Sequence, residues 1–279
     1  MAIDLHLHTT ASDGTCTPQQ LVQLLRDEQV DTFAITDHDT VEGAAMLLAD
    51  PPEGMRFIPG VEFSCRSAVG KYHILGYGID PAGALLNAAI EEGRQLRLNK
   101  LRGRLRYLRD AHGITFSTAE EEWLLSQKSP GKPHIGTLLL QKGLGNSMVE
   151  VLARYVNPFK GGNDRIDAAG AIRAILAAGG VPVWAHPMGG EGRRHKTREE
   201  LLPRLDDLLH LGIQGMECWY SRYTEQEIAV LTELATGEGL LISGGSDFHG
   251  TPKPGLLPGT LCAGAARPRR EQLTLLERV

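Results

Sequence analysis

The chain has 279 residues, 42% of them apolar, and its 29 Lys and Arg against 34 Asp and Glu give a formal net charge of −5. This length suits one large α/β domain or one domain with an insertion, and the apolar share excludes an intrinsically disordered chain. An acidic chain is also not a general nucleic-acid coat, so any binding of phosphate needs a local basic patch or metal ions.

The four cysteines are Cys16, Cys65, Cys218 and Cys262, and no two of them form a C-x-x-C pair. This predicts reduced thiols of a cytoplasmic protein and neither a zinc knuckle nor a redox motif. No basic start followed by an apolar run opens the chain, and no stretch approaches about 18 uncharged apolar residues. We therefore expect a cytoplasmic location, without a signal peptide or a membrane span.

Short apolar runs alternate with helical patterns along the chain. The predicted strands are Ile3–His8, Thr32–Thr36, Arg56–Glu62, Tyr72–Tyr77, Val181–Ala185, Ile213–Cys218 and Leu240–Ser243. The predicted helices are Pro18–Glu28, with Thr17 as its N-cap, Val41–Leu48, Asp167–Ala178, Arg198–Leu211 and Thr224–Glu238. This alternation favours a mostly parallel sheet closed into a barrel, whose functional site lies at the C-terminal ends of the strands.

One long region interrupts this alternation. Between about Ala82 and Asn163 the sequence has helical patterns and no convincing strand, and this is too long for a simple crossover. We therefore predict an α/β barrel formed by residues 1–81 and 164–279, with a helical insertion, residues 82–163, that acts as a lid over its mouth.

Residues that can bind metals lie at both ends of the barrel sequence. His6 and His8 stand two apart in a predicted strand, so both side chains face the same way, and Asp13 follows in the next loop. Asp247 and His249 repeat this spacing after the last strand. A pair of surface histidines is the alternative for His6 and His8 taken alone.

Other segments supply further candidate ligands. They are His38 after the second strand, Glu62 at the end of the third, His73 in the fourth, His186 after the fifth, and His134 at the start of a helix in the insertion. A buried carboxylate such as Glu62 is costly unless it is paired or binds a metal. Imidazoles and carboxylates without thiolates suit Mn²⁺, Zn²⁺ or Fe²⁺, and ten ligands imply two or three ions.

This set of motifs resembles the polymerase and histidinol phosphatase (PHP) family, whose pattern is an H-x-H with a following acid, a glutamate, further histidines and a closing D-x-H. The resemblance runs from His6 to His249 and fills every position. The turns Ser12-Asp13-Gly14-Thr15 and Thr36-Asp37-His38-Asp39, the helical insertion and Ser246-Asp247-Phe248-His249 look most like the bacterial branch that contains 3′,5′-nucleotide bisphosphate phosphatase and the 5′-to-3′ exoribonuclease RNase AM.

The resemblance implies a distorted (β/α)7 barrel and a site for three ions, often manganese. Position by position, it implies that His6, His8, Glu62 and Asp247 hold the first ion. Glu62, His73 and His134 would hold the second, and Asp13, His38 and His249 the third, while His186 would be a further ligand or a phosphate contact.

Two cations about 3.5–4 Å apart can share a water and lower its pKa. We therefore expect direct hydrolysis by a metal-bridging hydroxide, with Glu62, Asp247 and His186 as catalytic residues.

Basic residues are candidates for binding substrate phosphate. They are Lys100, Arg104 and Lys132 in the insertion, and Arg194, Ser221 and Arg222 after barrel strands. Lys100 and Arg104 lie four apart on one flank of a predicted helix, although an ordinary solvated face explains them equally well. Ser221 and Arg222 are favoured because they follow a strand at the catalytic mouth, where arginine suits bidentate contact with phosphate.

These features predict a metal-dependent phosphoesterase. We expect it to remove the 3′-phosphate from nucleoside 3′,5′-bisphosphates, giving nucleoside 5′-monophosphate, and to cut short 5′-phosphorylated oligonucleotides from the 5′ end. The alternatives are a phosphomonoesterase for a small metabolite such as histidinol phosphate and a non-catalytic metal-binding module. The expected partner is a small phosphorylated substrate, with no membrane and no stable nucleic-acid complex.

Overall fold

The computed structural model describes residues 2–127, 130–190, 194–264 and 266–279. The chain folds into two compact units. The sheet unit comprises Met1–Ile90 and Ile166–Val279, and the helical unit comprises Glu91–Arg165. Among the described residues, no helix is both long and apolar enough to cross a membrane.

The sheet unit has a central sheet with helices beside it. Its described strands are β1 (Ala2–Leu7), β2 (Val30–Ile35), β3 (Arg56–Arg66), β4 (Lys71–Tyr77), β5 (Ile166–Asp167), β6 (Val181–Trp184), β7 (Gly215–Tyr220) and β8 (Leu241–Gly245). The described helices of the whole chain are α1 (Pro18–Asp27), α2 (Glu42–Ala49), α3 (Ala84–His112), α4 (Thr118–Ser126), α5 (Lys132–Gln141), α6 (Met148–Val151), α7 (Ala168–Ala177), α8 (Arg198–Leu211) and α9 (Glu225–Gly237). A π-helical turn, Leu152–Val156, follows α6, and two 3₁₀ turns, Arg270–Gln272 and Thr274–Glu277, end the chain.

The sheet is mostly parallel, as the sequence predicted, but it includes one antiparallel strand that the sequence analysis did not anticipate. Its strand order is β1-β2-β3-β4-β6-β7-β8, with β5 paired to β3. Most neighbours are parallel, but β4 runs antiparallel to both β3 and β6. The loop between β3 and β4 is too short for a parallel connection, which needs about a dozen residues or more. The fold is therefore mixed α/β with a central sheet, and its fourth strand belongs to a hairpin.

Two strand predictions also differ from the structure. The third strand was expected to end at Glu62, but β3 continues to Arg66 because its second half pairs with β4. Strand β5 was not predicted, since two residues are too few to show a period in the sequence. The expected cap of α1 is confirmed: Thr17 Oγ1 accepts a hydrogen bond from the Gln20 backbone N–H at 3.2 Å.

Each unit has its own apolar core. In the sheet unit, Leu21 and Leu25 of α1 pack with the fully buried Phe33 and Ile35 of β2. In the helical unit, α3 contributes Leu101 and Leu108 to a separate cluster, which also contains Leu124, Ile135, Leu139 and Val151. The described residues between 82 and 163 contain helices and no strand, as the sequence predicted.

Candidate metal centre

Five imidazoles of the sheet unit converge on one buried carboxylate. Glu62, in the middle of β3, is fully buried. Its Oε2 lies 3.1 Å from His6 Nε2, 3.2 Å from His8 Nε2 and 3.1 Å from His38 Nδ1. Its Oε1 lies 2.8 Å from His73 Nδ1 and 3.2 Å from His186 Nε2. These residues come from β1, β3, β4 and the segments that follow β1, β2 and β6, so the sheet gathers them from distant parts of the chain.

Strand register explains this convergence. His6 and His8 point to the same side at the end of β1, which pairs in parallel with β2. The segment after β2 continues this pairing, because the Asp39 backbone N–H donates to Glu62 O at 2.9 Å and a parallel bridge joins His38 to Glu62. Across the β3–β4 hairpin, His73 lies opposite Ser64, two residues from Glu62 and on the same face.

The first group of donor atoms comprises His6, His8, Glu62 and Asp247, all buried. Its donor atoms lie within 4.8 Å of one another. Asp247 Oδ1 is 3.5 Å from His6 Nε2 and 3.3 Å from His8 Nε2. The structure thus brings together the same four residues that the family resemblance implies for the first ion.

Two further groups adjoin the first. One contains His8, Asp13, His38 and His249, with Asp13 Oδ1 3.2 Å from His249 Nε2. It includes the three residues implied for the third ion and adds His8. The other contains His38, Glu62 and His73.

His134, which the resemblance places with Glu62 and His73, belongs to the helical unit. It lies in the first turn of α5, where its Nδ1 accepts a hydrogen bond from the Gly131 backbone N–H at 3.2 Å. Its role as a ligand stays a prediction.

Electrostatics in this cluster favour added positive charge. Burial alone would raise the pKa of Glu62, but His38, His6 and His73 hold that pKa well below its usual range. The pKa of Asp247 is likewise lowered against the effect of burial, by His6, His8 and Lys253. In turn, Asp247 and Glu62 overcome the burial of His8 and raise the pKa of its imidazole to about 9. The carboxylates therefore stay ionised in a buried site and demand cationic neighbours.

The donor set fits divalent cations. Both ring nitrogens of His8 and Nδ1 of His38 are buried and have no hydrogen-bond partner with acceptable geometry among the described residues. A buried polar atom without a partner is costly, and a bound cation would remove that cost. Imidazole nitrogens and carboxylate oxygens, without a thiolate, are a ligand mixture typical of Mn²⁺, Zn²⁺ or Fe²⁺.

Two buried carboxylates that the sequence prediction missed support this cluster. Glu217 in β7 is fully buried, and its Oε1 lies 2.8 Å from His6 Nδ1, while its Oε2 accepts the His186 backbone N–H at 2.7 Å. Asp4 in β1 accepts backbone N–H groups of His6, Ser246 and Gly259. An acid inside an apolar strand was the signal that identified Glu62, and it applies equally to Glu217 and Asp4.

The backbone is strained where the site is built. Non-glycine residues with positive φ include Asp39 (50°), His186 (28°) and Asp247 (57°), all at or beside the cluster. Such conformations are costly and persist where the surrounding structure holds them. Gly245 allows β1 and β8 to approach closely, because a Cβ there would lie 2.2 Å from His6 Cβ.

The candidate phosphate-binding residues have partners of their own. In the helical unit, Lys100 Nζ lies 2.8 Å from Asp164 Oδ1, and the Arg104 guanidinium lies 4.0 Å from the same carboxylate. Lys132 Nζ donates a hydrogen bond to Asn157 Oδ1 at 2.6 Å.

The candidates of the sheet unit differ in exposure. Arg194 forms two hydrogen bonds to Glu200, at 2.6 and 2.9 Å. Ser221 is buried and donates to Ser246 O at 2.8 Å, whereas Arg222 is exposed. Their roles toward substrate stay predictions.

Comparisons with known proteins agree with this donor set. The PHP domain model matches residues 4–93, which include His6, His8, His38, Glu62 and His73. A phosphoribosyl 1,2-cyclic phosphate 1,2-diphosphodiesterase of Eggerthella lenta is 32% identical over 265 residues, covering 90% of this chain and 95% of the relative. The chain belongs to the PHP family.

Two other relatives of this PHP protein are named for nucleotide substrates. A 3′,5′-nucleoside bisphosphate phosphatase of Chromobacterium violaceum is 30% identical over 251 residues, covering 88% of this chain and 87% of the relative. The 5′-3′ exoribonuclease Rnm of Salmonella typhimurium is 32% identical over 254 residues, covering 88% of this chain and 84% of the relative. This PHP protein is therefore a metal-dependent phosphoesterase, a hydrolase of phosphoric esters, as the sequence predicted.

Solved structures share the fold of this PHP protein. An amidohydrolase from Chromobacterium violaceum, determined with bound sulfate and no metal, has a TM-score of 0.77 and 29% identity, covering 100% of this chain and 97% of that one. A protein from Bifidobacterium adolescentis, described as a candidate metal-dependent phosphoesterase, has a TM-score of 0.77 and 25% identity, covering 99% of this chain and 96% of that one.

Proposed function

We propose that this PHP phosphoesterase removes the 3′-phosphate from nucleoside 3′,5′-bisphosphates and cuts short 5′-phosphorylated oligonucleotides from their 5′ end. The observation that carries the proposal is the buried group of His6, His8, Glu62 and Asp247, in a chain similar over most of its length to enzymes named for these two activities. In both substrates the ester that breaks is attached to the 3′-oxygen of a ribose that carries a 5′-phosphate. One active site with a second contact, which binds the 5′-phosphate of this ribose, can therefore act on both substrates.

The metal-binding part of the proposal assigns three cations, manganese by preference, to three sets of side chains. The first set is His6, His8, Glu62 and Asp247, the second is Asp13, His38 and His249, and the third includes Glu62 and His73. The family resemblance adds His134 to the third set as a further ligand. When bound, such cations supply Lewis-acid chemistry and lower the pKa of water. Glu62 is suited to serve two sets because both of its oxygens face imidazoles.

Other residues hold or complement these ligands. Glu217 binds Nδ1 of His6, which directs the Nε2 of the same ring toward Glu62. The Tyr220 hydroxyl donates to Asp247 Oδ2 at 3.0 Å and holds that carboxylate in place. The His186 side chain keeps 15% of its surface exposed, so it can contact a substrate phosphate.

We further propose that Lys100, Arg104 and Lys132 bind the second phosphate of the substrate. Burial, together with the positive charges of Arg104 and Lys100, lowers the pKa of Lys132. Repulsion among these cations is only partly relieved by the single charge of Asp164, which pairs with Lys100 and Arg104. A bound phosphate would relieve the remainder, since it carries close to two negative charges.

The sheet itself supports a finer proposal, a distorted barrel formed by residues 1–81 and 164–279 with residues 82–163 inserted. Its two end strands are β1 and β8. The Asp247 backbone N–H donates to His6 O at 2.8 Å, the His8 N–H donates to Phe248 O at 3.0 Å, and a parallel bridge joins Leu7 to Phe248. These contacts between the ends of the sheet favour closure.

A second candidate function is hydrolysis of a cyclic phosphodiester on ribose. It is favoured by the similarity to the Eggerthella lenta enzyme, which covers 90% of this chain. The same metal ligands would act on either bond, so the substrate has to be decided by experiment.

Manganese-loaded protein should be assayed with a nucleoside 3′,5′-bisphosphate, a 5′-phosphorylated dinucleotide, phosphoribosyl 1,2-cyclic phosphate and histidinol phosphate. We expect kcat/KM for the first two to exceed that for the others by about tenfold or more. Chromatography should identify nucleoside 5′-monophosphate as a product. The variant Glu62→Gln, purified in the same way, controls for contaminating phosphatases. Faster turnover of either of the last two substrates would refute the nucleotide assignment.

A further inference from the structure

The two units carry net charges of opposite sign. The helical unit holds 13 of the 29 basic residues and 8 of the 34 acidic ones, a net charge of +5. The sheet unit holds the other 16 basic and 26 acidic residues, a net charge of −10. Electrostatic attraction for an anionic polymer is therefore concentrated in the helical unit.

Part of this positive charge surrounds an open cavity of about 340 Å³ within the helical unit. Arg102, Arg106 and Arg109 of α3 line it, and all three are exposed. Their spacing of four and three residues places them on one face of the helix. Lys100 and Arg104 lie about half a turn away, so the cavity belongs to a different face from the cluster proposed to bind the second phosphate.

The cations of this face are less neutralised than those near Asp164. Arg106 has no salt bridge to any described residue, and Arg102 makes one weak hydrogen bond, 3.4 Å long, to Asn99 Oδ1. Arg109 pairs with its neighbour Asp110 at 2.9 Å, and Glu121 is the acid among the lining residues. Positive charge therefore remains available for a ligand.

The floor of the cavity is apolar. It is formed by Leu105, Ile114, Phe116 and Leu125, of which all but Ile114 are partly exposed. Lys142 Nζ lies 5.3 Å from the centroid of the Phe116 ring and adds a further cation beside the aromatic side chain. A face that joins arginines to an aromatic ring suits a ligand with alternating phosphates and flat bases. Single-stranded nucleic acid has this chemistry, because its phosphates contact the cations and its bases stack on aromatic side chains and guanidinium groups.

We propose that this cavity is an auxiliary RNA-binding surface, which binds the phosphates and bases of single-stranded RNA. The inference rests on the proposed exonuclease activity, since a mononucleotide has no further phosphates to place there. An acidic protein segment would match the arginines but leave the aromatic floor without a matching group.

Binding tests the surface without requiring catalysis. The ligand is a fluorescent single-stranded oligoribonucleotide of about 15 nucleotides with a 5′-hydroxyl, used in the presence of a chelator. We expect the double variant Arg102→Ala/Arg106→Ala to raise Kd about tenfold and to reduce the slope of log K against log salt by about 1.4. The matched control is Arg94→Ala/Arg154→Ala, which removes two exposed arginines elsewhere in the same unit. Its Kd should rise much less.

Activity provides the second measurement. With manganese-loaded protein, Arg102→Ala/Arg106→Ala should raise KM for a 5′-phosphorylated oligonucleotide of the same length about tenfold and leave kcat/KM for a nucleoside 3′,5′-bisphosphate unchanged. Equal losses in both double variants, displacement of RNA by polyglutamate as effectively as by unlabelled RNA, or no RNA binding by the unchanged protein would each overturn the proposal. Normal binding without cleavage would instead refute the proposed exonuclease activity and leave the surface in place.

Discussion

The sheet unit and the helical unit differ in where they hold their charges. In the sheet unit, Glu62 and Glu217 are fully buried; five imidazoles face Glu62, and the His6 imidazole contacts Glu217. In the helical unit, arginines such as Arg102 and Arg106 are exposed. Buried carboxylates bind cations strongly, whereas exposed cationic side chains attract anions from solution. We therefore expect chemistry to depend mainly on the first unit and substrate affinity on the second, and mutations can test this division.

The largest effect is expected for Glu62→Gln. Five imidazoles face this carboxylate, so its loss removes the charge that holds the donor groups together. Phosphatase activity should fall by about a thousandfold, which corresponds to about 4 kcal/mol, and bound manganese should decrease. Elemental analysis and initial rates measure the two effects. Glu53→Gln, an exposed glutamate of the same unit, is the control; retained activity in Glu62→Gln would contradict the proposed site.

A smaller loss is expected for Glu217→Gln. This change removes the negative charge beside His6 Nδ1 while keeping an acceptor for the His186 backbone N–H. Metal affinity should fall by about 10- to 100-fold, as is usual when a carboxylate behind a ligating histidine is replaced. Titration of the metal-free protein with manganese measures it, and Glu225→Gln, an exposed glutamate nearby in sequence, should bind like the unchanged protein. Equal affinity in both variants would remove Glu217 from a positioning role.

Gly43→Ala tests how tightly the loop after β1 is held. Asp37 accepts hydrogen bonds from the backbone and hydroxyl of Thr9, both at 2.7 Å, and a Cβ at Gly43 would lie 2.3 Å from Asp37 Oδ2. We expect the free energy of unfolding to fall by about 2 kcal/mol, although alanine is the better helix former. Urea unfolding measures it. The control is Gly237→Ala, where an added Cβ would have open space around it, so the free energy of unfolding should stay the same or rise slightly. Similar behaviour of the two variants would disprove the close contact.

The smallest effect is expected in the helical unit. Lys132→Met should raise KM for a nucleoside 3′,5′-bisphosphate about tenfold, or about 1.4 kcal/mol, while kcat/KM for a simple aryl phosphate stays the same. Lys142→Met removes a lysine that pairs with Glu120 at 2.8 Å and serves as the matched control. A proportional loss on both substrates would mean that Lys132 supports the fold or the chemistry and does not bind the second phosphate.

Much of the candidate site could be predicted because its signals are local. The two-residue spacing of His6 and His8 places both on one face of a strand, and an acid within the apolar run around Glu62 requires a partner. Glu217 and Asp4 carry the same local signal, but they were overlooked because neither belongs to a recognised motif. His134 and the phosphate-binding residues remain predictions, since they depend on contacts that no short motif specifies.

The sequence by itself determined the alternation of strands and helices, the Thr17 cap and the chemical type of the site, because each depends on neighbours within a few residues. Only the tertiary structure decided that β4 runs antiparallel, that His8 lies beside both Asp247 and Asp13, and that Glu217 supports His6 across 211 positions of sequence. Such contacts depend on strand register and on the order of strands in the sheet, and neither can be derived from local periodicity.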